Sequence, residues 1–518
     1  MNRNPGPANN ETVDNRAMAD NTPSAPRATS NRSTVPVSRT FTDYISGQWA
    51  DRTEAIPKPR EQAVFAAARR AAVSAKYLGK RLIIPAGAAA VRSNDTDYAY
   101  RAHSAFSHLT GWASDCVPGS VLVLEPNNIA EPTNDGHEAT LFFRQAAGRD
   151  SDEFYANPEV GEFWTGQRPS LAHVAKDLGI RTADLSALEA ILDNTDADTV
   201  LLRDADHSIT NAVDARRLLN ADSDTLEKDF LDDGADDLLC RDLSELRLVK
   251  DDYEITQLRL AVGATQKGFN DVIADRPAII AHERGERLVE GTFNRRARAE
   301  GNAVGYDTIA ASGVHACILH WTRNDGPVVP GDLILLDAGI ELDSLYTADI
   351  TRTLPVNGVF SDTQRLVYEA VLEAADAAFA IVRPGIRFRE IHAAAMEVIA
   401  RHTAAWGFLP GTAEDSLKPE NQFHRRYMVH GTSHHLGIDV HDCAQARREL
   451  YTDGTLEAGM VFTIEPGLYL QPDDLTVPAH FRGIGVRIED NILVTPTGAE
   501  NLSAGIPRTV DDVEAWLA

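Results

Sequence analysis

The stretch LILLDAGIELDSLYTADITRT, residues 333–353, decides how the C-terminal half of this chain folds. DLILLDAGIEL, residues 332–342, reads as an apolar strand, and after a turn DITRTLPV, residues 349–356, reads as the next strand. Asp337 interrupts the first strand with a carboxylate. Buried without a partner, such a group is costly, so it needs a metal, a cation or several donors. For Asp337 alone, a structural ion pair would answer as well. Asp349 opens the second strand, and a strand–turn–strand connection would set both carboxylates at one end of a hairpin.

Outward from this hairpin, the pattern is of helices gathered on one side of a largely antiparallel sheet, an α+β arrangement. MVFTIEPGLYL (460–470) and GVRIEDNILVT (485–495) read as further strands. SELRLVKDDYEITQLRLAVGATQKGFNDVI (244–273) has apolar residues spaced by three and four and is expected to form one long amphipathic helix. A second helix starts at Ser361, with Gln364 three positions on as a capping pattern, and ends before Pro384 and Gly385. A third, from Arg389, stops at Gly407.

Three more distinctive strings carry acid or imidazole side chains. His430 and His434 share a face of HGTSHHLGIDVHD (430–442), and His441 follows in the same string, whereas His435 points elsewhere and reads as structural or exposed. Glu465 ends a strand at Pro466 and Gly467; alone it is ambiguous. Arg487 and Glu489 alternate onto one face of their strand, so the arginine is expected to orient and charge-balance the glutamate. Together Asp337, Asp349, His434, Glu465 and Glu489 supply four carboxylates and one imidazole. That is a donor set for two hard or borderline divalent cations, and such a pair can share a hydroxide at neutral pH. The chemistry this implies is that of a dinuclear metallohydrolase.

The whole chain bounds the alternatives. At 518 residues it suits two domains. A net charge of −27 argues against nucleic acid or an anionic membrane surface as partner. Cys116, Cys240, Cys317 and Cys443 lie far apart with no CxxC, which suits free thiols in a reducing cytoplasm. Residues 1–40 contain no Leu, Ile or aromatic and are expected to be a disordered tail without signal-peptide character. Residues 41–242 alternate helix and strand as an α/β unit, with strands KRLIIPAG, SVLVLEP, EATLFFR and TVLLRD joined in βαβ-like fashion. ADSDTLEKDFLDDGADDLLCRD, at its end, is acidic enough to read as an exposed linker or solvated helix. Residues 243–518 form the second unit.

These strings together resemble the creatinase/aminopeptidase pita-bread superfamily, specifically aminopeptidase P. DAG…DITRT, HGTSHHLGIDVHD, EPGLY and GIGVRIED occur in the order and with roughly the spacing of that family, and the likeness runs from about residue 60 to the end. It implies a C-terminal pita-bread catalytic domain preceded by a smaller creatinase-like α/β domain, of which NDTDYAYRAHSAFSHLTGW (94–112) is the most family-like stretch. It places the family's metal ligands on the same five residues, its further site histidines on His320, His430 and His441, and the arginine that supports those ligands on Arg487. It implies two ions, Mn2+ in most relatives, and removal of the first residue from peptides with proline second by a metal-bridging hydroxide. Glu465 would move the proton and His441 would stabilise the oxyanion. A homodimer or homotetramer is expected. One departure is visible: Asp337 and Asp349 are twelve apart, one more than is usual, which enlarges the turn between them. Three other readings compete. A prolidase would cleave only Xaa-Pro dipeptides, and prolidases resemble HGLGH where this chain has HGTSH. A creatinase-like enzyme would work without metal, and an inactive pita-bread scaffold would only bind.

Overall fold

A computed structural model describes residues 36, 38–50, 54–94, 96–127, 136–195, 197–220 and 234–518. The expected tail lies outside the described residues except at its end, where Arg39 and Thr40 begin a helix, Arg39–Ser46, capped by the Ser38 side chain. The described residues fall into two compact units, a small one from those within Met1–Trp49, Ser93–Thr96 and Ala147–Gly166, and a large one from the others. In the small unit Trp49 meets Phe154 edge-on at 5.5 Å, and the Arg149 guanidinium sits 4.5 Å over the Trp49 ring.

In the large unit, helix α1 (Gln62–Lys76) precedes strand β1 (Arg81–Pro85), and helix α2 (Ser104–Thr110) leads to β2 (Val121–Pro126) and β3 (His137–Phe143). With β4 (Arg181–Asp184) and β5 (Thr199–Leu201) these strands make one sheet in the order β4-β3-β2-β1-β5. The expected strands are all there, but the sheet is mixed rather than a run of βαβ crossovers. β1, β2 and β3 pair antiparallel, and only the outer pairs are parallel. Both faces are covered: Leu82 and Ile84 point into one apolar cluster and Ile83 into another, which is why RLIIP is buried throughout.

The acidic stretch behaves differently from expectation. Residues 221–233 lie outside the described residues, but helix α3 (Gly234–Leu246) runs across the expected boundary at 242/243. Its Leu239 and Leu243 are buried with the first sheet's core, so this part is not a solvated linker. Buried Asp236 takes hydrogen bonds from Arg203, Arg217 and the Leu201 N–H. Nor does one helix run from Ser244 to Ile273. Val249 forms a bridge with Met460 and Lys250 N–H donates to the Gly459 carbonyl. Asp251 then starts a new helix, α4 (Asp252–Ala274), through a capping box with Glu254.

Helix α5 (Gly285–Glu300) follows, then β6 (Ile309–Ser312), β7 (Leu333–Ala338), β8 (Ile340–Glu341) and β9 (Ile350–Pro355). Helices α6 (Asp362–Ala380) and α7 (Phe388–Ala405) pack together as an amphipathic pair. The Ser361–Gln364 capping box starts α6, and Gly407, at φ 77°, lets the chain leave α7. Strands β10 (Val461–Ile464), β11 (Gly467–Tyr469), β12 (Gly485–Arg487) and β13 (Asp490–Thr495) follow, and a last strand, Gly498–Asn501, pairs with β13. β9-β7-β6 form one antiparallel sheet, β10 pairs antiparallel with β13, and β11 with β12.

Candidate metal centre

The register of these strands gathers the candidate ligands. Asp337 on β7 faces Thr351 on β9, so Asp349, two residues before Thr351, lies at the same end of the pair. Asn491 fixes that end by accepting from the Asp349 N–H at 3.2 Å and donating to its carbonyl at 2.5 Å. Glu489, between β12 and β13, docks its N–H on the Thr351 carbonyl at 3.1 Å. The segment 432–436 runs along β10: Glu465 N–H donates to Thr432, Thr463 N–H to His434, and Leu436 N–H to Val461. Alternate residues therefore face opposite ways. His434 turns to the centre while His435 is buried against Phe388, ring centroids 4.6 Å apart, so the latter is structural.

A cavity of about 530 Å3 is lined by all five candidate ligands and by His320, His430, His441 and Arg487. Within it, Asp337, Asp349 and Glu489 offer oxygens all within 4.8 Å of one another, and His434, Glu465 and Glu489 do the same. Asp349, His434 and His441 make a third such trio. Burial raises the pKa of Asp337, and the Asp349 charge adds to this against the opposing Arg487. Burial also lifts Glu465 to about 7, and Glu489 goes well above the carboxylate range under burial and the charges of Asp349 and Glu465. His434 moves the other way for an imidazole: burial opposes its charge, but Asp349, 3.2 Å from Nε2, and Glu465 outweigh burial and raise it to about 9. The pocket holds more negative charge than its own cations balance.

The arginine's partner differs from expectation. Arg487 Nη2 donates to Asp337 Oδ2 at 2.5 Å, Nη1 to the Tyr469 hydroxyl and Nε to the Thr351 hydroxyl. It balances the hairpin carboxylate, and it is Thr351 that donates to Glu489 Oε2 at 2.7 Å. Glu489 Oε1 is buried and finds no hydrogen-bond partner among the described residues. Tyr306, which the sequence reading passed over, donates its hydroxyl to Asp337 Oδ1 at 2.7 Å. It stands before β6 in an unremarkable YDTI string, and only the pairing of β6 with β7 brings it near. His430 is held as a neutral tautomer. Its Nδ1 donates to the Gly431 carbonyl at 2.7 Å, Nε2 accepts from Tyr469 at 2.8 Å, and burial plus the Arg487 charge lower it to about 3. His320 and His441 are exposed on the cavity wall, and the His441 ring lies 4.2 Å from that of His434.

An orphaned buried carboxylate oxygen, three clusters of ligand atoms and surplus buried acid fit divalent cations by donor type and by charge. Arg487, Tyr306 and Thr351 fix the carboxylates from behind, as outer partners of metal ligands do.

Residues 256–496 match metallopeptidase family M24, and residues 66–201 match the N-terminal domain of aminopeptidase P. The chain is 48% identical over 471 residues to Xaa-Pro aminopeptidase 2 of Streptomyces coelicolor, covering 91% of this chain and 94% of the relative. It is 33% identical over 462 residues to the Xaa-Pro aminopeptidase of Escherichia coli, covering 88% and 97%. The fold superposes on zinc-substituted E. coli aminopeptidase P in complex with product with a TM-score of 0.73, at 30% identity over 89% of this chain and 99% of that one.

Proposed function

The chain belongs to the Xaa-Pro aminopeptidases of metallopeptidase family M24, with a pita-bread domain behind a smaller aminopeptidase P N-terminal domain, and we propose on this footing how its residues work. The chain is a metallo-aminopeptidase that releases the first residue from peptides with proline second. The observation that carries this reading is the meeting of five metal-ligand side chains in one cavity of a chain so similar to enzymes of that name. Asp337, Asp349, His434, Glu465 and Glu489 would hold two divalent ions, Mn2+ in the first instance. Bound there, the ions would supply Lewis acidity and lower the pKa of water toward neutrality.

The chain's own groups do the rest. Glu465 takes a proton from the water that attacks the first peptide carbonyl and delivers it to the proline nitrogen as that C–N bond breaks. His441 donates to the developing oxyanion; such donors contribute about 3–4 kcal/mol elsewhere. Arg487 and Tyr306 hold Asp337 in place, and Tyr469 holds His430. With both ring nitrogens engaged, His430 offers its ring to the proline, while His320, which lines the same cavity, holds the peptide backbone. A tertiary amide has no N–H to recognise, so selection for proline rests on ring shape.

We further read the chain as two domains, with the boundary expected at 242/243 moved past helix α3 to the break before Asp251, the assembly as a homodimer or homotetramer, and the setting as a reducing cytoplasm. None of the four cysteines is in a disulfide, which suits that setting. No described helix is long and apolar enough to cross a membrane. Time-resolved mass spectrometry of an Xaa-Pro-Yaa-Zaa peptide tests the activity. Release of Xaa alone is expected, and cleavage confined to Xaa-Pro dipeptides would make the chain a prolidase.

A further inference from the structure

We propose that Arg101 is a positioning residue for the reaction: it holds the segment Ile438–His441 so that His441 faces the reacting carbonyl. This rests on the role given to His441 above. The segment is a thin wall. Val440 and His441 line the 530 Å3 cavity on one side and a second cavity of about 430 Å3 on the other. Ile438 is buried in an apolar cluster and Val440 packs against it, so packing holds one end of the segment, and its polar anchors decide where Asp439 and His441 lie. The His441 ring itself takes no hydrogen bond among the described residues, and its direction follows from the backbone that carries it.

Both anchors are ionic. At the far end buried Asp442 is held by Arg247 at 2.8 Å and by Lys250 at 3.3 Å. At the near end Arg101, from the first sheet's part of the chain, spreads its guanidinium over several acceptors. Nη2 donates to the Ile438 carbonyl at 2.6 Å and lies 3.1 Å from Asp439 Oδ1. Nε donates to Glu341 Oε2 at 2.7 Å and Nη1 to Ser104 Oγ at 3.0 Å. Ser104 Oγ in turn donates to Asp439 Oδ1 at 2.5 Å. Glu341, buried on β8 within the connection between Asp337 and Asp349, also accepts from Asn302 at 2.8 Å. One side chain thus ties the wall to the hairpin that carries two candidate ligands. A planar fork of five donors can do this, and a lysine cannot.

The test is kinetic and uses the full-length, metal-loaded chain. Arg101→Ala is expected to lower kcat on an Xaa-Pro-Yaa peptide by roughly ten- to a hundred-fold, the range seen for outer partners of a site. KM should change little, metal content per chain should be unchanged, and Arg101→Lys should recover only part of the loss. The decisive variant is the double one. If Arg101 acts through His441, Arg101→Ala/His441→Ala is no slower than His441→Ala alone. Ser104→Ala, which removes one hydrogen bond to Asp439, should show a smaller loss of the same kind, and it serves if Arg101→Ala does not fold. Multiplying losses in the double variant, or full turnover in Arg101→Ala beside an impaired His441→Ala, would overturn the inference. An unimpaired His441→Ala would instead refute the role given to His441.

Discussion

Glu489 and Asp490 are adjacent on one strand end, both almost fully buried, and they behave in opposite ways. Asp490 turns to Arg352, 2.7 Å away, with Arg508 at 3.6 Å; burial works against its charge, but the two guanidinium groups hold its pKa below the usual range. Glu489 turns to the cavity, where burial and neighbouring carboxylates drive its pKa far up. His441 and Asp442 repeat the contrast. Asp442 is depressed despite burial by Arg247 and Lys250, while its neighbour lines the acidic pocket. The fold therefore sets cations against its structural buried acids, whereas in the cavity Arg487 serves Asp337 and leaves Glu489 without one. Where it leaves acids unmatched, the balancing charge is expected from outside.

Removing an unmatched acid gives the largest effect. Glu489→Ala should reduce peptide hydrolysis to background and lose at least one ion per chain, measured by elemental analysis, while the matched acids and the thermal midpoint of the metal-free chain change little. Breaking a matched pair should do the reverse. Arg352→Met leaves Asp490 buried beside a more distant partner, and urea denaturation should show a loss of about 3–5 kcal/mol, with ion stoichiometry intact.

The two classes also part in their pH response. Glu465, raised to about 7, keeps its proton in the folded metal-free chain after the unfolded chain has lost it, so its contribution falls as pH rises toward 7. His434, raised to about 9, contributes fully below its unfolded pKa and loses that contribution as pH climbs through 9. Asp442 and Asp490, depressed, contribute above their unfolded pKa and fail only in acid. The metal-free chain should thus lose stability between about pH 5 and 9, on the order of a few kcal/mol, and divalent ions should remove that slope. A metal-free chain that grows more stable across this window would break the comparison. The smallest effect is expected for Tyr306→Phe, about ten- to a hundred-fold in metal affinity or turnover, followed by calorimetric metal titration.

What could be read from the chain was local. The five ligand positions stood out because each puts acid or imidazole into an apolar or glycine-rich string, and the Ser361 capping box lay within four residues. Partners across long loops could not be read. Arg487 looked destined for Glu489 two positions on, but strand pairing delivers it to Asp337, 150 positions away. Tyr306 gave no signal of its own. The acidic run from 221 suggested a solvated element because charge count is blind to which side a leucine faces, and Leu239 and Leu243, four apart, form the buried stripe of α3. Helix α5 was missed for the same reason: its arginines and glutamates mask Val289, Phe293 and Ala297, four apart and buried. The break at Arg247–Asp251 depends on pairing with Gly459 and Met460, some two hundred positions on.

The most direct test strips the purified chain of metal and titrates it with Mn2+ by isothermal calorimetry, while following Xaa-Pro-Yaa hydrolysis in the same samples. Two ions per chain, with activity returning as they bind and with Glu489→Ala binding one at most, is the predicted result. Full hydrolysis by the exhaustively chelated chain, or two ions still bound tightly by Glu489→Ala, would contradict the claim that the unmatched acids are the metal site.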